Sequence, residues 1–198
     1  MIHRFIILLG IPLCASLSYA GDFTIDASHS NIEFTIRHLV SKVKGQFKSF
    51  NGEISFDSKN PEASKISANI DVASLNTNQK NRDEHLLSDD FFAVKKNPTL
   101  SFVSTEIKSD GDSKYKMSGN LTLRGVTKPV IFGVEYLGEA KGPSGDQRIG
   151  FVATTKIHRK DFNINWNKTL DTGGVIIGDD VQIDINIEAA EKNFKAKK

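Results

Sequence analysis

Eight stretches of the chain alternate apolar and polar positions with the two-residue period of a half-buried strand. Ile32, Phe34, Ile36 and His38 stand against Glu33, Thr35 and Arg37. The pattern returns at Phe50–Phe56 after a turn-like Lys44-Gly45, and at Ile66–Val72 after Asn60-Pro61. Leu100, Phe102 and Ser104 follow Asn97-Pro98; Asp110-Gly111 then reads as a hairpin before Tyr115–Leu123. Gly125 and Pro129 interrupt the pattern ahead of Val130–Tyr136, and a loop over 141–146 precedes Ile149–Ile157. The eighth segment is Val181–Ile187.

One stretch breaks the rule. Thr77–Phe92, TNQKNRDEHLLSDDFF, has no Gly or Pro and almost no β-branched residue, so it predicts a short helix. Thr77 and Asn78 are its candidate caps. An ionisable cluster, Arg82, Asp83 and His85, leads into Leu86 and Leu87, and Phe91 and Phe92 close the stretch. The prediction is all-β: an eight-stranded antiparallel barrel with one short helix between strands 3 and 4. Eight strands enclose either a filled core or one small ligand. The many phenylalanines (thirteen, against one Trp and three Tyr) suit an apolar lining or a dense core, and pattern does not separate the two.

Composition adds a compartment. His3 and Arg4, the apolar run Phe5–Leu13, and Ser18-Tyr19-Ala20 read as a secretory signal peptide over residues 1–20, cut before Gly21. The rest, 21–198, reads as one domain in the periplasm or outside the cell. Cys14 is the single cysteine, so the exported domain has neither disulfides nor thiol chemistry. Without Arg4 the chain carries 25 Lys+Arg against 24 acidic residues, a balance that argues against a nucleic-acid partner. The terminal Lys192, Lys195, Lys197 and Lys198 suit a solvated tail or transient contact with a membrane surface.

Candidate chemistry is sparse. The histidines of the exported part are His29, His38, His85 and His158, with no HxH or HExxH spacing, so no metal is expected. There is no GxSxG elbow, and Asp89-Asp90 and Asp179-Asp180 read as loop carboxylates. Asp171-Thr172-Gly173-Gly174 reads as a turn rather than a phosphate cradle. Arg37, Arg82, Arg124 and Arg159 are candidates for meeting a polar head group, and Arg82-Asp83 for an ion pair anchoring the helix. No enzyme motif stands out and no cofactor is expected.

Several motifs occur together: Ile25-Asp26 with His29-Ser30 and Ile32-x-Phe34-x-Ile36-x-His38; Gly45-x-Phe47-x-x-Phe50-x-Gly52; and Arg82-Asp83-x-His85-Leu86 running to Asp90-Phe91-Phe92. Gly119–Val130 (GNLTLRGVTKPV), and Asp161-Phe162 with Gly178-Asp179-x-Val181, complete the set. Together they resemble the YceI-like family of exported polyisoprenoid-binding proteins. The resemblance implies a lipocalin-like barrel with an apolar channel for a long isoprenoid chain, of polyprenyl or quinone type. It implies ligand contacts at His38, Phe47, Arg82, Asp83, His85, Leu86, Phe91, Phe92 and Phe102, joined by Phe162 and Trp166 on aromatic character. The helix from Asn78 to Leu87 would gate the channel. Three readings stand at this point: a carrier or store of isoprenoid lipid with a transport or stress-protection role, an accessory acting with a bound quinone, and an interaction protein with a filled barrel. A homodimer shielding an open channel end is compatible with the sequence.

Overall fold

The computed structural model describes residues 20–169 and 175–195. The signal-peptide expectation, apart from Ala20, and the Asp171–Gly174 turn lie outside them. Eleven strands form one antiparallel sheet: β1 (Ala20–Ile25), β2 (Asn31–His38), β3 (Ser41–Phe47), β4 (Phe50–Asp57), β5 (Lys65–Asp71) and β6 (Leu75–Asn76), then β7 (Thr99–Ser109), β8 (Lys114–Leu123), β9 (Val126–Lys141), β10 (Gln147–His158) and β11 (Ile177–Glu191). Three pairs of them are single staves with a bend. β1 and β2 both run antiparallel to β11, with Ile25 opposite Ala189 and Ile32 opposite Ile185. β3 continues into β4 through Lys48 and Ser49, and β5 into β6 through the one-turn 3-10 segment Val72–Ser74. Counted as staves there are eight, each beside its sequence neighbours, and the β1–β11 pairing closes the ring.

This is the predicted barrel, and its eight staves contain the eight alternating segments. The alternation works as expected on β4, where Phe50, Gly52, Ile54 and Phe56 are buried and the residues between them are exposed. Two local expectations are corrected. Lys44 and Gly45 are strand residues of β3, opposite Thr35 and Phe34, and the turn comes earlier at Leu39-Val40. Pro129 sits inside β9 opposite Asn120, and only Arg124-Gly125 makes the turn, with φ of 52° and 72°.

The helix α1 (Lys80–Leu87) lies between the third and fourth staves. Asn78 adopts φ 59°, and the cap is Gln79, whose side-chain oxygen accepts from Arg82 N at 2.6 Å. Strand direction puts α1, the Leu39-Val40 turn, the Arg124-Gly125 turn and the segment after β10 at one end of the barrel, here called the upper end. Arg124 ties these pieces together, donating to the carbonyl of Asp89 at 2.7 Å and to the carbonyl of Asn163. At the lower end the 3-10 turn Pro61–Ala63 is held by Glu62, which accepts from Ser109 N at 2.8 Å.

Candidate functional site: an apolar channel with a polar mouth

The interior is hollow. A cavity of about 590 Å³ runs inside the barrel, lined by inward residues of every stave and by the upper cap. The filled-barrel expectation is thereby overturned. On β11 alone the lining runs from Ile177 through Val181, Ile183 and Ile185 to Ile187. Those ten residue steps span roughly 30 Å of strand, or roughly 23 Å along the axis of a tilted barrel.

Two wall glycines explain how so many phenylalanines leave a lumen open. Phe34 pairs with Gly45 across β2 and β3, and its ring lies over the glycine. A methyl at Gly45 would overlap the Phe34 ring and approach Thr77 Cγ2 to 2.9 Å. Phe102 lies over Gly119 in the same way; a methyl there would also come within 2.6 Å of the Val103 carbonyl oxygen. The rings are laid against the wall instead of pointing across the lumen. Towards the lower end the lining includes Phe56 and Phe151, whose rings are 5.3 Å apart and which both pack on Tyr136, at 4.9 and 5.3 Å. Burial and the neighbouring Glu139 carboxylate push the Tyr136 phenol up to about 12.

Polar groups collect at the upper end. His38, at the top of β2, lines the cavity with Gln79, Asn81, Arg82 and His85 of the helix segment and with Trp166. His85 Nε2 lies 2.9 Å from Asp90 Oδ2, and its ring meets Phe91 and Trp166 edge-on at 5.0 and 4.9 Å. Phe91 is buried and tilts against Trp166 at 5.2 Å; Phe92 meets Phe47 edge-on at 6.0 Å, and Phe47 in turn packs on Phe34 at 5.9 Å. A chain of aromatic contacts therefore joins the segment after α1 to the channel wall.

The expected site residues divide into two groups. His38, Phe47, Arg82, His85, Leu86, Phe91, Phe92, Phe102 and Trp166 all line the cavity. Asp83 and Phe162 stand behind it. Asp83 does not pair with Arg82; both grip Thr77. The Asp83 carboxylate accepts from Thr77 N at 2.9 Å and from its hydroxyl, while Arg82 Nε donates to Thr77 Oγ1 at 2.7 Å and its NH2 to the Thr77 carbonyl at 2.8 Å. Thr77 is itself buried, so this clamp fixes the start of the helix. Phe162 is buried in the short 3-10 segment Arg159–Phe162 below the cap.

Sequence reasoning named Arg159 only as one arginine among four, yet it holds much of the rim. It is 2 % exposed and touches the cavity. Its guanidinium donates to the carbonyls of Gly178, Ile164 and Trp166 at 2.9, 2.7 and 2.8 Å and meets Asp179 Oδ1 at 2.9 Å. The Lys160 ammonium, with the Arg159 charge behind it, holds the Asp179 carboxyl below its ordinary range. Buried charge is costly unless paired, and here the pairing sets the Trp166 segment over the channel. The available signal was an Arg at a strand end, twenty residues from an Asp-Asp pair.

Outside the channel, Asp26, His29 and Glu188 bring one ligand atom each within 4.8 Å of one another. Arg148 lies among them, its NH1 2.8 Å from Asp26 Oδ2 and hydrogen-bonded to Glu188, with Nε 2.9 Å from Asp146 Oδ2. This cluster joins the β1–β2 bend to β10 and β11. The Ser28 hydroxyl, His29 and Arg148 hold the Asp26 carboxyl well below its usual range.

Comparison with known proteins agrees with this architecture. The YceI-like domain matches residues 23–189. A UPF0312 protein of Ectopseudomonas mendocina is 44% identical over 161 residues, covering 80% of this chain and 84% of its own. The crystal structure of the YCEI protein of Campylobacter jejuni superposes with a TM-score of 0.70 at 39% identity, over 80% of this chain and 91% of that one. A polyisoprenoid binding domain from Saccharophagus degradans shares the fold, with a TM-score of 0.62 at 16% identity over 85% and 98% of the two chains.

Proposed function

The chain belongs to the YceI-like family, and from that premise we propose that it is a non-catalytic binding protein that holds a long-chain isoprenoid lipid, of polyprenyl or quinone type, in its barrel. The observation that carries this reading is the channel: long, apolar along the barrel and polar at the upper mouth. Burying each CH₂ stabilises by about 0.8 kcal/mol, so a five-carbon unit contributes roughly 3 to 4 kcal/mol before ordering costs. Little polar recognition is then needed, and the rim groups His38, Arg82 and His85 serve to orient a head group while the tail fills the lumen. The polyisoprenoid-binding description of the Saccharophagus degradans domain points to the same ligand class.

The reading places the protein in the periplasm after removal of a leader near Ala20-Gly21, carrying or storing lipid there or protecting it under stress. Among the described residues, no set of side chains stands poised for bond-making. The rim carboxylates and most of the rim cations are engaged in holding loops: Arg82 and Asp83 on Thr77, Arg159 on three carbonyls and Asp179, His85 on Asp90. The test is organic extraction of protein purified from its native exported fraction without detergent, followed by mass spectrometry. A stoichiometric polyprenyl or prenylquinone species is expected. An extract in which straight-chain fatty acids or phospholipid fill the channel would overturn the isoprenoid assignment.

A further inference from the structure

We propose that the Leu39-Val40 turn at the mouth of the channel docks the barrel against an anionic lipid membrane surface. β2 and β3 end on the facing pair His38 and Ser41, leaving a two-residue loop of Leu39 and Val40. Two-residue loops favour Asn, Asp and Gly, which accept a left-handed backbone cheaply. Here Leu39 takes φ 50°, and Val40 is completely exposed. Val175, also exposed, belongs to the neighbouring segment, whose Ile176 carbonyl accepts from Leu39 N at 2.8 Å. The chain thus presents bare aliphatic side chains where turn chemistry asks for polar ones.

A cationic collar stands behind this tip. Arg37 and Lys42 face each other directly across the two strands, with Lys44 two residues further down β3. Like charges directly opposite in a sheet cost stability. Among the described residues none of the three makes an ion pair. An apolar tip backed by cations, of which Arg37 is braced on the Leu39 carbonyl at 3.0 Å, complements an anionic lipid surface: the tip enters the interface and the collar meets the head groups. The patch is two or three side chains wide, far below the roughly 800 Å² per partner of a stable protein interface. Its position also fits. His38 and Val43, one and three positions from the tip, and Ile176, bonded to Leu39, all line the cavity, so a docked barrel turns its mouth to the bilayer. The purpose of docking rests on the carrier reading, but the contact itself is measured without cargo.

The test is co-sedimentation of the protein with phosphatidylglycerol–phosphatidylethanolamine vesicles and with phosphatidylcholine vesicles. The wild type is expected to partition onto the anionic vesicles and to be released by salt. Val40→Asp, at a site too exposed to affect folding, should weaken binding at least tenfold, and Lys42→Gln by about fivefold. Leu137→Asp, a change of another exposed aliphatic near the lower end of β9, should leave binding unchanged. The proposal fails if the wild type ignores anionic vesicles, if Val40→Asp binds as well as wild type, or if Leu137→Asp loses as much. Loss of self-association in Val40→Asp, without vesicle binding by the wild type, would make the tip a protein contact and equally overturn it. A lipid-free extract alongside intact vesicle binding would sink the carrier reading and leave the docking surface standing.

Discussion

Replacing Gly45 with Ala is the sharpest test of why the channel is open. The three atoms nearest the new methyl all belong to side chains, of Phe34 and Thr77, so the backbone of β3 can stay in place. Thr77 is locked by Arg82 and Asp83, which leaves the Phe34 ring to move, and the free space is the lumen. A six-carbon ring swung off the wall excludes about as much chain as one five-carbon isoprene unit. At about 0.8 kcal/mol per CH₂ that is roughly 3 to 4 kcal/mol of lost burial, or a Kd raised roughly 100- to 1,000-fold. The assay is competitive displacement of a fluorescent polyene by prenyl alcohols of increasing length, with thermal unfolding as a check on folding. Chains too short to reach the level of Phe34 should bind both proteins alike, and longer ones should discriminate. In a Phe34→Ala background, Gly45→Ala should have little further effect, as a double-mutant cycle would show. Wild-type affinity of Gly45→Ala for the longest chains, or an equal loss at every length that Phe34→Ala does not absorb, would refute the reasoning.

Other outcomes follow from the same geometry. Phe91→Ala with Phe92→Ala removes the aromatic seal against Trp166 and Phe47 and should speed ligand exchange at least tenfold in stopped-flow transfer; an unchanged rate would mean that this segment is no gate. Arg159→Met leaves three carbonyls without their donor and Asp179 with Lys160 alone, and should cost about 3 kcal/mol in urea unfolding, with a loss under 1 kcal/mol speaking against its role in holding the rim. Asp26→Asn tests the outer cluster. Because the folded-state pKa of Asp26 is depressed, its stabilisation is present above the ordinary carboxylate range and is lost as pH falls through the folded value. The variant should therefore melt below wild type at pH 7, and the gap should close at the acid end; a gap that stays constant down to pH 2.5 would assign the effect to something other than the charge.

The period-two pattern carried most of the fold, because strands with one face on a lumen and one in water must alternate. It missed β1, β3 and β6, which are short continuations of staves already visible. Two of the continuations are joined by short, mostly polar bends, 26–30 and 48–49, and such residues look like turns in sequence; the third runs through the 3-10 segment Val72–Ser74. Gly45 was misread for a related reason: glycine signals either a special backbone or a close neighbour, and only the paired strand reveals that the neighbour is Phe34. The rim was partly legible. Aromatic and ionisable residues clustered in Thr77–Phe92 announced the cap, but adjacency in sequence suggested that Arg82 pairs with Asp83, whereas helical geometry turns both towards Thr77. Arg159 was hidden because its partners are mostly backbone carbonyls, which leave no trace in side-chain patterns.

The three bends lie side by side: residues 26–30 in the first stave, 48–49 in the second and 71–74 in the third. A crease crossing three of eight staves at one level divides the wall into two parts of unequal stiffness. Below it the ladders continue round the ring through β1, β4 and β5, with register shifts at Ser104/Glu106 and Gly150/Phe151; above it the β2, β3 and β6 panel keeps only a two-residue pairing with its third stave. Amide protons of that upper panel should therefore exchange with deuterium earlier than those of the lower ring. That order of exchange would make the lower ring a rigid cup and the upper panel its hinged lip, able to flare for a bulky guest while the cup keeps its bore.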